Sequence, residues 1–191
     1  LPAQDYKRIG EGNTGQNTGG MGAYAPAPLV TSGLLTEIKK QVLQPTIDAL
    51  RERGITYQGV LYAGLMLTAQ KEVKVLEFNC RFGDPETQVI LPLLETPLDE
   101  LSLACIEQRL QDFPPLQWCG KRALCVVASA AGYPGSYEKG HEITQLPEEA
   151  LVFHAGTCLT QKQKLLTNGG RVLGVTGLGD TLKEAADRAY S

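Results

Sequence analysis

Residues Val73 to Glu86 read VKVLEFNCRFGDPE, and this stretch decides the fold. Val73, Val75 and Leu76 are strand formers, and Lys74 falls on the face opposite Val73 and Val75. Alternate side chains of a strand share a face, so Glu77 and Asn79 project the same way, about 7 Å apart by strand rise. A carboxylate beside an amide oxygen suits a hard divalent cation, and Mg²⁺ is commonly held by one or two carboxylates plus nucleotide phosphates. Arg81 continues the same parity and places a guanidinium where it can fork onto a phosphate or carboxylate. The chain then turns: Gly83 frees the backbone, Asp84 suits a helix cap and Pro85 a first helical position. The alternative is that Glu77 and Asn79 are solvated or bonded to a turn, and that Asp-Pro-Glu is only a good helix start.

Outward from this stretch, GVLYAGLMLT (Gly59 to Thr68) is a second apolar strand, and the short link at 69–72 makes the pair, 59–68 with 73–80, an antiparallel hairpin. Residues 32–53 carry Leu35, Ile38, Val42, Leu43, Ile47 and Leu50 at helical spacing, with Gly54 as the stop and a kink expected at Pro45. Helices are also expected from Pro85 to about Leu91 and from Pro97 to about Leu110, the latter capped by Thr96. Near the start, NTGQNTGGMGAY contains Gly15, Gly19, Gly20 and Gly22. Such a segment exposes backbone N–H groups that can nest around an anion, and Lys7 and Arg8 add positive charge close by. Its spacing is not that of a P-loop. A mobile surface loop is the competing interpretation.

The paired Pro114-Pro115 within DFPPLQWCGK marks a passage between domains. After it come short strands at 123–129, 151–157 and 171–178, a hairpin turn at Asn168-Gly169-Gly170, and a last helix opened by the capping box Thr181-Leu182-Lys183-Glu184. Arg171 is either directed at a ligand or solvated at a strand end. The whole is α+β: an antiparallel sheet with flanking helices over 1–116, then a small, mostly antiparallel α+β domain over 117–191.

Composition excludes several classes. The 191 residues are 42% hydrophobic, enough for a sizeable core. A formal charge of −3 and an isoelectric point near 5.5 speak against a nucleic-acid or anionic-membrane partner. No apolar run reaches the ~18 residues of a membrane span. Five scattered cysteines without a C-x-x-C pair fit reduced thiols and a cytoplasmic setting better than a disulfide framework or zinc site.

Taken together, AQDYKR, NTGGMGAY, LYAGLM, LEFNCRFGDPETQ, GYPGSY, FHAGT and NGGRVL resemble the phosphoribosylamine–glycine ligase family, also called glycinamide ribonucleotide synthetases, of the ATP-grasp superfamily. The resemblance runs along the whole chain in order. It implies an ATP-grasp carboxy-terminal lobe and an ATP-dependent ligase of purine synthesis. Glycine, ATP and 5-phosphoribosylamine would give glycinamide ribonucleotide, ADP and phosphate through a glycyl phosphate. It further implies Glu77 and Asn79 as ligands of Mg²⁺ or Mn²⁺, and Arg81 as a catalytic residue steadying the phosphoryl group or the glycine carboxylate. Lys7 and Arg8 would contribute to the anionic pocket, and Asn17, Thr18, Gly19, Gly20 and Gly22 to a loop over the substrate. It implies, too, that an amino-terminal part of the protein lies before Leu1, so that this chain alone is inactive. The rival assignments are another ATP-grasp carboxylate–amine ligase or carboxylase, and a nucleotide-sensing module without chemistry.

Overall fold

Four short strands open the chain: β1 (Gln4–Asp5), β2 (Arg8–Gly10), β3 (Thr14–Asn17) and β4 (Gly22–Ala25). A long helical segment follows, made of α1 (Ser32–Ile38), a π-helical turn (Lys39–Leu43) and α2 (Gln44–Glu52). Next come the strands β5 (Tyr62–Leu67) and β6 (Val73–Asn79), then α3 (Thr87–Ile90) and α4 (Leu98–Ile106). The last third holds β7 (Arg122–Ser129), β8 (Leu151–His154), β9 (Thr157–Leu159), β10 (Leu165–Thr167), β11 (Arg171–Gly179) and α5 (Leu182–Ala189). The computed structural model describes residues 1–191. Every strand pairing is antiparallel, as expected of this α+β chain.

Two compact units form. The first comprises Leu1–Ala27, Asp84–Leu93 and Cys119–Ser191. Its sheet has the order β1-β4-β7-β11-β8. β4 meets β7 from Gly22↔Val126 to Ala25↔Ala123, and β11 runs along β7 from Thr176↔Cys125 to Gly179↔Arg122 and beyond. Ala23, Ala25, Ala123, Cys125 and Val127 are buried, and β11 is covered on both faces. On one side α5 lies flush against β11 through Ala185 and Ala189. A Cβ at Gly177 would stand only 2.0 Å from the Ala185 carbonyl oxygen. Elsewhere Val172, Leu173 and Val175 pack with Ile143, Leu146 and Val152. From α3 and the turn after it, Val89 and Leu93 are fully buried.

The second unit comprises Pro28–Gly83 and Leu94–Trp118. Thr31 caps its long helix, its Oγ1 accepting from the Leu34 amide at 3.2 Å. The expected disturbance at Pro45 is a π-helical turn just ahead of it. Proline has no N–H to complete the regular ladder, and the wider turn accommodates that gap. β5 and β6 form the expected hairpin, reversing through Lys71 at φ 63°. Gln58 donates to the Ile106 carbonyl at 2.8 Å and the Gly59 amide to Cys105 Sγ at 3.2 Å, joining the approach to β5 with the end of α4.

Several local expectations are corrected. Thr96 does not cap α4; its hydroxyl accepts instead from the Gln117 amide at 2.7 Å. Asn168-Gly169-Gly170 is not a hairpin turn, because β10 pairs with β9 whereas β11 pairs with β7 and β8. Thr181 does cap α5, but Glu184 reaches the Asp180 amide, one residue short of a closed capping box. The packing also groups residues differently from the consecutive blocks 1–116 and 117–191. Chain crossings occur at 27/28, 83/84, 93/94 and 118/119, since β1 and β4 complete a sheet whose other strands lie a hundred residues on.

All five cysteines are free. Burial pushes the Cys125 thiol up from 9.0 to about 11; a hydrogen bond with Thr176 opposes this and the Asp84 charge adds to it. A raised thiol value favours the neutral form in the fold. Its contribution to stability is therefore complete below pH 9.0 and lost as pH rises through about 11. Alkylation of the native protein near neutral pH should label the exposed Cys80 and spare Cys125; equal labelling of both would show that β4 and β7 open readily. Gly177→Ala should lower unfolding stability by about 1–3 kcal/mol through overpacking against backbone that cannot yield, read from the urea midpoint.

Candidate functional site

In the second unit, β6 carries the candidate metal ligands. Tyr62↔Asn79, Ala63↔Phe78 and Gly64↔Glu77 are consecutive rungs, so Glu77 and Asn79 share a face and Phe78 takes the other. The ladder slips between Gly64 and Leu65, leaving Leu76 as the extra residue of a bulge. Opposite Glu77, a Cβ on Gly64 would come within 2.9 Å of Glu77 Cγ. This glycine makes the space the carboxylate occupies, a requirement hidden in LYAGLM until the register is known. Glu77 is exposed and Asn79 half-buried.

The donor set fits a hard cation in part. One carboxylate and one amide oxygen are oxygen ligands of the right kind, but no cluster of three or more His, Cys, Asp or Glu side chains surrounds them. A cation here would complete its coordination with water and phosphate oxygens. Arg81 lies beyond the last residue of β6, so strand parity does not aim it. Its Nη1 donates to the neighbouring Phe82 carbonyl at 2.9 Å.

The first unit holds the other candidate residues. Lys7 Nζ pairs with the Asp5 carboxylate at 2.6 Å, and Arg8 Nη1 donates to the Gly15 carbonyl at 2.5 Å across the β2–β3 hairpin. Asn17 ends β3 with its side chain exposed. The glycine-rich segment is not an open nest of amides. Thr18 donates from its amide to the Lys7 carbonyl (2.7 Å), Gly19 to the Tyr133 hydroxyl (3.2 Å), Gly20 to Thr18 Oγ1 (3.0 Å) and Met21 to the Tyr6 carbonyl (2.7 Å). Gly22 belongs to β4, where a Cβ would meet the Cys125 carbonyl oxygen at 2.6 Å. Here the glycines serve close packing.

Arg171 was the residue most understated by sequence. Its side chain is 23% exposed and faces the Asp84 carboxylate and the carbonyls of Gly19 and Gly20. Asp84 accordingly does not cap α3: it pairs with Arg171 and accepts from Gln88 Nε2 at 3.0 Å. FHAGT and NGG come together closely: a Cβ on Gly156 would fall 2.5 Å from Gly169 Cα, and the Asn168 amide donates to the Gly156 carbonyl at 2.6 Å. Only a pattern of paired glycines hinted at these approaches.

Residues 1–87 match the ATP-grasp (A) domain of phosphoribosylglycinamide synthetase, and residues 123–191 match its C domain. A Kluyveromyces lactis urea amidolyase structure shares the fold over 96% of this chain and 10% of its own, at a TM-score of 0.65 and 16% identity. The fold is that of the ATP-grasp class. Phosphoribosylamine–glycine ligase from Thermotoga maritima superposes over 98% of this chain at a TM-score of 0.87 and 41% identity. A Nostoc phosphoribosylamine–glycine ligase is 59% identical over the whole chain. The chain belongs to the phosphoribosylglycinamide synthetase family. It spans 46% of the length of each of these two relatives, and none of its helices is long and apolar enough to cross a membrane.

Gly64→Ala places a methyl group against Glu77 Cγ and forces the carboxylate to move. Side-chain NMR shifts of Glu77 should change in that variant while thermal stability stays nearly unchanged; unaltered Glu77 shifts would mean that Gly64 does not set the placement of the carboxylate.

Proposed function

We propose that the protein carrying this chain joins glycine to 5-phosphoribosylamine at the expense of ATP. The products are glycinamide ribonucleotide, ADP and phosphate, formed through a glycyl phosphate. The observation that carries this reading is the pairing of Glu77 with Asn79 on one face of β6, opposite a glycine that leaves room for the carboxylate, in a chain of this family. Bound there, Mg²⁺ or Mn²⁺ would be held by Glu77 and Asn79 and would neutralise phosphate charge.

The chain's own residues then have distinct tasks. Phosphoryl transfer needs positioning and charge stabilisation more than covalent help from protein groups. Arg81 supplies a guanidinium for the transferring phosphoryl group or the glycine carboxylate. Lys7 and Arg8 add positive potential beside the glycine-rich segment, where the Asn17 side chain is free to meet substrate. Thr18, Gly19, Gly20 and Gly22 shape that segment through its packing. Residues 1–116 are the ATP-grasp lobe and 117–191 the small following domain, a division supported by the family matches over 1–87 and 123–191. The family assigns the reaction to purine synthesis, consistent with a cytoplasmic enzyme.

The test uses the full-length protein. ADP formation should require both glycine and phosphoribosylamine, and Glu77→Gln should reduce it by at least ~10–100-fold. Asn79→Ala should act likewise, with partial recovery at raised Mg²⁺. ADP release driven by another carboxylate substrate or by bicarbonate would favour a different ATP-grasp ligase or carboxylase. Near-normal turnover of either variant at low Mg²⁺ would make these residues structural.

A further inference from the structure

Arg171 opens β11 directly after Asn168-Gly169-Gly170. Its Nη1 lies 3.2 Å from the Gly19 carbonyl, 3.3 Å from the Gly20 carbonyl and 3.1 Å from the Asp84 carbonyl, while Nη2 lies 3.3 Å from Asp84 Oδ2. One planar cation therefore holds two turns that are 64 residues apart in the chain, Gly20 to Asp84. The three carbonyls gather on Nη1, while the Asp84 carboxylate is met by Nη1 and Nη2 together; a lysine ammonium offers a single nitrogen and lacks this two-pronged grip on the carboxylate.

The surroundings admit no slack. A Cβ on Gly19 would stand 3.0 Å from Arg171 Cζ. Gly20 adopts φ +121°, and a Cβ there would stand 2.5 Å from Pro85 Cδ. The Gly19 amide is taken by the Tyr133 hydroxyl, and the Tyr133 ring rests where a Cβ on Gly170 would be, 2.3 Å away. Four motifs singled out by sequence (NTGGMG, RFGDPE, GYPGSY and NGGR) thus meet around this guanidinium. Asp84 follows Arg81 by three residues and Asn79 by five, and Gly19 follows Asn17 by two.

We propose that Arg171 is a positioning residue: by binding the Asp84 carboxylate and the Gly19 and Gly20 carbonyls together, it locks the glycine-rich turn to the Asp84–Pro85 turn, so that both are held in one arrangement for the reaction. This role rests on the ligase reading above for its catalytic consequence, though not for its structural one. A part-exposed ion pair alone contributes little. The two-nitrogen grip on the Asp84 carboxylate, with Nη1 also on the Gly19 and Gly20 carbonyls, is what gives the tie its directional control.

The experiment compares Arg171→Ala, Arg171→Lys and Asp84→Asn with wild type in the full-length protein. Amide hydrogen exchange is measured over residues 18–21 and over β7 and β11, alongside steady-state kinetics for each substrate. Arg171→Ala should accelerate exchange at 18–21 and leave the interiors of β7 and β11 protected. Phosphoribosylamine-dependent kcat should fall by about 10–100-fold, the effect of a misplacement near 1 Å, with KM for ATP little changed. Added guanidinium should restore part of the activity of Arg171→Ala, Arg171→Lys should restore little, and Asp84→Asn should show the same pattern in weaker form. Unchanged exchange at 18–21 would overturn the proposal, as would full activity in Arg171→Lys. So would a loss of protection throughout β7 and β11 in both Arg171→Lys and Asp84→Asn, which would make the tie a general stabiliser. Wild-type protein without glycine-dependent ADP formation would overturn the ligase reading only, because the exchange arm stands independently of turnover.

Discussion

The ladder between β4 and β7 is the constraint on which the first unit depends. It joins residues 22–25 to 123–126, closing a loop of about a hundred residues whose entropic cost grows only slowly with length. The ladder can form because Gly22 has no side chain to strike the Cys125 carbonyl. Once it is in place, β1 adds to one edge and β11 to the other side of β7, and α5 lies down on β11 over Gly177. The same closure brings the glycine-rich segment beside the strand-end that carries Arg171.

The second unit depends on a simpler device, a hairpin with one bulge. The bulge at Leu76 resets the pairing so that Glu77 faces Gly64. Two oxygen ligands on one strand would make a weak cation site by themselves, and a cation held there would draw its remaining ligands from water or phosphate oxygens.

Glycine-rich segments invite interpretation as anion nests, yet here their amides are already bonded within the fold. Gly19, Gly20 and Gly22 instead permit approach: to Arg171, to Pro85 and to the β7 backbone. Tying the segment down in this way leaves it little conformational entropy to lose on further ordering. Lys7 and Arg8 are likewise engaged, by Asp5 and by the Gly15 carbonyl, which holds their charge beside the segment.

Local patterns made much of this legible in the sequence. The hairpin of β5 and β6 followed from two apolar runs and a short link, the long helix from its 3.6-residue period, and the shared face of Glu77 and Asn79 from strand alternation. These are properties of neighbouring residues, and their physics is short-range. What the sequence could not express was every decision made by residues far apart. Arg171 reads from its neighbours as a solvated strand-end residue sooner than as a ligand contact, and it is Asp84 and the Gly19 and Gly20 carbonyls that surround it. Thr96 and Asp84 looked like helix caps until Gln117 and Arg171 claimed them. The compact units cut across the chain because β4 found β7. A hydrogen-bonding group takes whichever partner the fold delivers, and only tertiary closure delivers partners a hundred residues away.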